Sequence, residues 1–203
     1  FTTSSLQQDS SSRLRLSPSR TMALAQQLFQ GINLGNGEEG LITYMRTDST
    51  ALSKESLGEI KNYVNNSYGD NYYELRKYKT KSANAQEAHE AIRPTSINRT
   101  PDSIKSFLDD DQFKLYDLIW KRTVASQMSE SVNKKTTIIT SSENEKFKFK
   151  SDYDELTFDG FKKLFPEKES DKMPSISEDD IVDLSKVDNC LLYTSDAADE
   201  YSG

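Results

Sequence analysis

"GLITYMRTDST" (residues 40–50) opens as an apolar, β-favouring run and breaks at once into polar groups. The turn-forming "GNGEEG" (residues 35–40) leads into it, so "LITYM" (residues 41–45) is predicted to be a short strand. Side chains at i and i+2 of a strand share a face, which puts Tyr44 beside Arg46. A tyrosine in a strand is ordinarily a half-buried packing residue; the neighbouring guanidinium is what motivates a chemical reading. A phenol is a weak nucleophile at neutral pH, and a nearby cation favours its ionised form. The same guanidinium can grip a phosphate through two parallel hydrogen bonds and stabilise charge on a pentacoordinate phosphorus. Tyr plus Arg therefore suits attack on a phosphodiester, with rigid backbone delivering both groups to the edge of a groove.

Helical signals surround this run. Thr3 to Leu14 reads as a short helix with Ser or Thr at its start. In "SPSRTMALAQQLFQG" (residues 17–31), Ser17 caps, Pro18 takes the first helical position, Met22, Ala25, Leu28 and Phe29 fall at helical spacing, and Gly31 ends the helix. Leu57, Ile60 and Val64 form the next apolar stripe, closed at Tyr68-Gly69. "NAQEAHEAIRP" (residues 84–94) reads as a helix stopped before Pro94. "TPDSIKSFL" (residues 100–108) repeats the cap-then-proline start, and "DQFKLYDLIWKRTVASQM" (residues 111–128) is the longest amphipathic helix, with Phe113, Leu115, Leu118, Ile119 and Trp120 inward. Beyond Asn133 the period changes to two in "TTIIT", "KFKFK" and "ELTF", which predicts three short antiparallel strands. A domain boundary is expected there, giving an α-rich unit over residues 1–131 and a β segment over 132–189.

The 203 residues carry a formal charge of −7, unevenly spread. Residues 1–135 hold 18 Lys plus Arg against 16 Asp plus Glu, a net of +2, and residues 136–203 hold 8 against 17, a net of −9. No acid lies between Ser10 and Gly37, where Arg13, Arg15 and Arg20 sit in a Ser-rich context able to meet phosphates. No apolar run is long enough to span a bilayer, and a soluble chain is expected. The single cysteine, Cys190, excludes an internal disulfide and a cysteine zinc site. The run "CLLYTSDAADE" (residues 190–200) resembles a translated sequencing adapter, so residues 190–203 are set apart as an artefactual tail.

His89 is the only histidine, which rules out a multi-histidine metal site. On a helix it would share a face with Gln86 and Arg93, two further phosphate-compatible donors. Two other readings stand beside catalysis. One is a non-catalytic module binding single-stranded nucleic acid through the three arginines and the Tyr-rich 68–78 loop. The other is a structural helical domain in which Tyr44 and His89 are buried.

Taken in order, "FTTSSLQQDSSSRL", "GLITYMRTDST", "NAQEAHEAIRPTS" and "LYDLIWKRTVASQM" resemble the central part of a bacterial type IA DNA topoisomerase, and the likeness continues more weakly through "LTFDGFKKLFPE". The resemblance implies an α+β fragment of a multidomain protein: a winged-helix-like domain bearing the catalytic tyrosine, then part of an antiparallel β arch whose strands, split in sequence, should lack partners. It implies that Tyr44 attacks single-stranded DNA, becomes joined to a 5′ phosphate, and hands the bond back after strand passage, relaxing negative supercoils without ATP. Arg46 matches the arginine that engages the scissile phosphate and His89 a DNA-contacting histidine. Thr43, Thr47 and Asp48 lie in the same site, with Gln26 and Glu38 at its margin; Arg93, on the helical face expected for His89, is a further expected DNA contact. Met45 favours the topoisomerase I branch. The family's magnesium is bound by an acidic Toprim domain expected upstream of this segment, so the fragment alone is expected to be inactive. The partner is DNA, with no membrane; the protein is expected to be a monomer in the bacterial cytoplasm, at the nucleoid.

Overall fold

The computed structural model describes residues 1–35, 37–78, 89–166 and 172–183. Its chain divides into two compact units, Phe1–Asp171 and Lys172–Gly203. In the second, the described residues form a turn in which the Ser177 amide donates to Asp180 Oδ2 at 2.7 Å.

Capping chemistry sets the helices of the first unit. Helix α1 (Thr3–Leu14) starts at a reciprocal box between Thr2 and Ser5 and ends at Arg15 in the left-handed region. Helix α2 (Pro18–Gln30) is capped by Ser17 with proline first and Gly31 last, as its sequence predicts. Helix α3 (Lys54–Tyr68) is capped by Ser53 and closed at Gly69. After the one-turn α4 (Pro101–Ile104), helix α5 (Asp110–Ala125) opens on a capping box between Asp109 and Gln112. The acids at 109–111 thus serve the positive end of a helix dipole. Helices α1, α2 and α5 pack on one another. Their core includes Leu6, Leu24, Leu28, Leu115 and Ile119, all fully buried. Tyr116 is also buried, its hydroxyl donating to the Arg99 carbonyl at 2.8 Å; Phe113, expected inside, is only partly covered.

Two sequence expectations fail for one reason. Residues 41–45 are not a regular strand, and residues 89–93 are not a helix. The two segments hold each other instead, through an antiparallel bridge between Ile42 and Pro94. The Thr43 amide donates to the Arg93 carbonyl at 2.9 Å and the Thr95 amide to Leu41 at 3.0 Å. The ladder stops there because the amides that would extend it are taken elsewhere, Leu41 by the Leu28 carbonyl and Arg93 by Thr43 Oγ1. On its other flank Leu41 donates to the last turn of α2 at Leu28, 2.7 Å, where the small pair β1 (Ile32–Asn33) and β2 (Glu38–Glu39) returns the chain. Long-range backbone bonds from Ala91 to Ala51 and from Ile92 to Phe1 pull 89–93 out of helical geometry. Local helix propensity is worth tenths of a kilocalorie per residue and yields to such pairing.

The β segment is a single two-stranded ribbon, β3 (Val132–Ser141) with β4 (Lys148–Phe158), in place of three short strands. The "SDYD" between "KFKFK" and "ELTF" stays in the ladder because its charge is answered across the strands. Thr137 donates to Asp152 at 2.6 Å, and Lys150 and Lys135 lie 3.1 and 3.2 Å from the same carboxylate. The Thr137 hydrogen bond first, then the lysines, hold Asp152 down at about 2. The expectation that these strands lack partners is likewise corrected: each pairs with the other, and only their outer edges are unpaired among the described residues.

A chain of rings ties the ribbon to the helical body: Trp120 to Tyr63 (5.2 Å), Tyr63 to Tyr68 (6.3 Å), Tyr68 to Tyr72 (6.0 Å) and Tyr72 to Phe158 (4.8 Å). Tyr72 also donates its hydroxyl to Asp159 at 2.6 Å. The next residue, Gly160, has φ +49, and a Cβ there would fall on the carbonyl oxygens of Ser129 and Glu130. The Tyr72 bond, then Lys163, lowers the Asp159 pKa. A depressed carboxylate contributes stability that is full above its unfolded value, about 3.9, and is lost as pH falls through the folded one. Tyr72→Phe keeps the ring contact and removes the bond. With Asp159 26% exposed, we expect a loss of ~1 kcal/mol in urea melts at pH 7, with wild type and variant converging below about pH 4. Equal midpoints at pH 7 would show the bond to be without effect.

Candidate active site

From residue 44 to 49, exposure alternates without a strand ladder: Tyr44, Arg46 and Asp48 face outward and Met45, Thr47 and Ser49 inward. The alternation that motivates placing Tyr44 and Arg46 on one face is therefore present, although sheet pairing is not its cause. Met45, 1% exposed, anchors the run in the core. Thr3, at the start of α1, clamps it: the Thr3 amide donates to the Thr47 carbonyl (2.9 Å), its hydroxyl to Met45 (2.9 Å), and the Thr47 amide donates back to that hydroxyl (2.9 Å). Two consecutive hydroxyl turns extend the clamp, with the Ser49 amide on Thr47 Oγ1 and the Ala51 amide on Ser49 Oγ. Gly40 admits the close approach at the other end, since a Cβ there would lie 2.7 Å from the Phe29 carbonyl oxygen.

On this clamped loop Tyr44 is 37% exposed. Its ring meets two others: His89 at 5.0 Å, tilted by 44°, and Phe29 at 5.6 Å, edge-on at 68°. Exposure of Tyr44 and of His89 removes the reading in which both are buried packing residues. Arg46 is exposed and has no ion pair or hydrogen bond among the described residues, leaving its guanidinium available to an anion.

The other expected site residues have different employment. Thr43 Oγ1 donates to the Ala91 carbonyl at 2.7 Å and accepts the Arg93 amide at 3.0 Å, locking the tyrosine loop to the histidine segment. Arg93 is committed internally, with Nε on Glu90 at 2.6 Å, Nη1 on the Pro94 carbonyl at 2.8 Å and a side chain only 13% exposed. Thr47 is buried in the clamp. Gln26 is half-buried on α2, one turn before Phe29. Glu38 is exposed on β2 opposite Asn33. Gln86 lies outside the described residues. Sequence reasoning missed Thr3, legible only as a helix-start hydroxyl, and Phe29, whose spacing resembles that of an inner-face residue. Leu28 takes the inner position instead, and Phe29 is turned outward.

Of the arginines in the acid-free stretch, Arg20 is paired with Asp111 at 2.9 Å and Arg13 lies 3.9 Å from Asp9. In the Tyr-rich loop, Arg76 pairs with Glu74 and Glu130, and the Tyr78 hydroxyl donates to the Ser126 carbonyl. Arg15 and Lys77 are exposed without an ion pair among the described residues. A cleft of about 660 Å³ lined by Arg76, Tyr78, Lys121 and Arg122 does not include Tyr44; the chemistry points to the exposed phenol rather than to this cleft. Among the described residues no group of three or more His, Cys, Asp or Glu stands together to hold a metal. Glu90 and Glu39 are paired with Arg93 and Arg99, while Asp48 and Glu38 are exposed on separate segments, so the described residues around Tyr44 do not gather the carboxylates a magnesium ion takes. No helix of the described residues is long and apolar enough to cross a membrane.

A family model described as DNA topoisomerase matches residues 1–199. DNA topoisomerase 1 of Rickettsia conorii is 47% identical over 174 residues, 85% of this chain and 22% of the relative. That of Helicobacter pylori is 42% identical over 192 residues, 93% of this chain and 26% of the relative. The solved full-length topoisomerase I from Thermotoga maritima superposes with a TM-score of 0.75 at 38% identity, covering 88% of this chain and 28% of that one. The chain thus spans about a quarter of the length of the relatives it matches, a mixed α+β segment with two small antiparallel sheets. It belongs to the bacterial type IA DNA topoisomerase I family.

Proposed function

We propose that this segment supplies the nucleophile of a topoisomerase that breaks and rejoins one DNA strand through a 5′-phosphotyrosine and relaxes negative supercoils without ATP. The carrying observation is the exposed Tyr44 phenol on a doubly clamped loop, with Arg46 likewise exposed two residues on and the His89 ring 5.0 Å away. The Tyr44 oxygen forms a bond to phosphorus as the P–O3′ bond breaks. The phenol gives up a proton, and the departing 3′ oxygen takes one to become a hydroxyl. Attack by that hydroxyl reverses every change, so the phosphoester is conserved and no external energy is needed. Arg46 holds the non-bridging oxygens where charge accumulates. His89 contacts DNA beside the phenol, and Asp48 and Gln26 flank the path of the strand. Thr43, Thr47 and Arg93 act by positioning the loop.

The packing of α1, α2 and α5 beside the β1–β2 pair supports reading residues 1–131 as a winged-helix-like, tyrosine-bearing domain. The ribbon supports reading residues 132–189 as part of an arch. Magnesium would be held by an acidic domain elsewhere in the full-length protein, which acts as a monomer on DNA at the bacterial nucleoid. In the full-length protein, a single-stranded oligonucleotide labelled at its 3′ end should leave its label on the peptide containing Tyr44. The 203-residue segment alone should form no adduct. Label on another residue, or none, would sink the proposal; an adduct on the isolated segment would overturn its predicted inactivity.

A further inference from the structure

We propose that Phe29 is a positioning residue for Tyr44: its ring edge fixes the direction in which the phenol oxygen is presented to the scissile phosphate. This rests on the reading of Tyr44 as the nucleophile. Three observations carry it. Phe29 is 37% exposed at the last turn of a well-capped helix whose inward position is already filled by Leu28, so core packing does not explain a large aromatic there. Its ring meets Tyr44 edge-on, centroids 5.6 Å apart at 68°, an attractive geometry because a positive ring edge faces a negative π cloud. Its backbone is fixed against the tyrosine loop, since the Leu41 amide donates to Leu28 and Gly40 sits against the Phe29 carbonyl with no room for a Cβ. The loop's clamps at Thr3 and Thr43 hold the Tyr44 backbone and leave the two side-chain torsions of the phenol free. Among the described residues only Phe29 and His89 make ring contacts with it. Phe29 comes from the well-capped α2, which is hydrogen-bonded to the tyrosine loop through Leu28 and Leu41, and this suits it to hold the ring against rotation. An in-line attack needs the oxygen within a few tenths of an ångström of its productive place, and a loosely held nucleophile lowers rate rather than affinity.

The test uses the full-length enzyme carrying this segment and an end-labelled single-stranded oligonucleotide, with cleavage rate at saturating DNA measured separately from the dissociation constant. Phe29→Ala should slow cleavage about tenfold with the dissociation constant within about twofold. Phe29→Leu, which keeps bulk without a ring, should be nearly as slow, and Phe29→Tyr should restore the rate. A weaker dissociation constant at unchanged rate would make Phe29 a DNA-binding residue and overturn the proposal. So would wild-type behaviour of Phe29→Ala, or full activity of Phe29→Leu. Tyr44→Phe in the same assay separates the two levels: if it still cleaves, the nucleophile reading fails, and if it is inert while Phe29→Ala is normal, only the positioning role fails.

Discussion

Replacing Tyr44 by phenylalanine in the full-length enzyme is expected to abolish both the covalent adduct and supercoil relaxation while leaving single-stranded DNA binding within about twofold. The substitution deletes one oxygen. The ring contacts with Phe29 and His89 involve the carbon frame, and no described partner accepts or donates at the hydroxyl. The loop itself is held by Met45, Thr43 and the Thr3 clamp, none of which touches that oxygen. Stability should therefore be unchanged, and a normal melting curve beside lost cleavage separates loss of chemistry from loss of fold. Covalent catalysis without its nucleophile has no alternative route through the same intermediate. Nicking and rejoining of plasmids at a normal pace by this variant would remove the basis of the mechanism. A non-catalytic nucleic-acid-binding module predicts that outcome, since binding does not require the hydroxyl.

What the sequence made legible followed the range of the physics involved. Helices α1, α2, α3 and α5 were readable because caps, terminal glycines and apolar spacing are local chemistry, acting within one or two turns. The segments around the tyrosine and the histidine were misassigned because their conformation is set by each other. "NAQEAHEAIRP" has the composition of a helix, yet its described part from His89 onward pairs with residues 42–51 and with Phe1, contacts separated by tens of residues. Tyr44 and Arg46 are both exposed on either side of buried Met45, the alternation that extended backbone produces with or without a ladder. Arg93 was expected among the DNA contacts on the strength of a helical face shared with His89. The described residues 89–93 are not helical, and the Arg93 guanidinium turns to Glu90 and the Pro94 carbonyl. Phe29 was misplaced by a single position on the helical wheel, and only tertiary contact with residue 44 separates an inner phenylalanine from one beside the nucleophile.

Arg46 carries the second large effect. Truncating Arg46 to alanine is expected to slow cleavage by about 10²–10³-fold, the loss typical of removing one donor aimed at developing charge. The side chain is exposed and free of partners among the described residues, so its loss breaks no internal bond and should leave the melting temperature unchanged. Binding of single-stranded DNA should weaken only a few-fold, because one phosphate contact among many contributes little to affinity. Arg46→Lys restores the charge without the planar fork, and is expected to recover part of the rate while remaining about tenfold below wild type. Cleavage and rejoining pass through the same pentacoordinate phosphorus in opposite directions, so a group that stabilises it must accelerate both. Arg46→Ala should then depress relaxation without raising the steady-state level of adduct. Accumulation of adduct would mean instead that Arg46 serves resealing alone. A cleavage rate within threefold of wild type would mean that it does not touch the reacting phosphate.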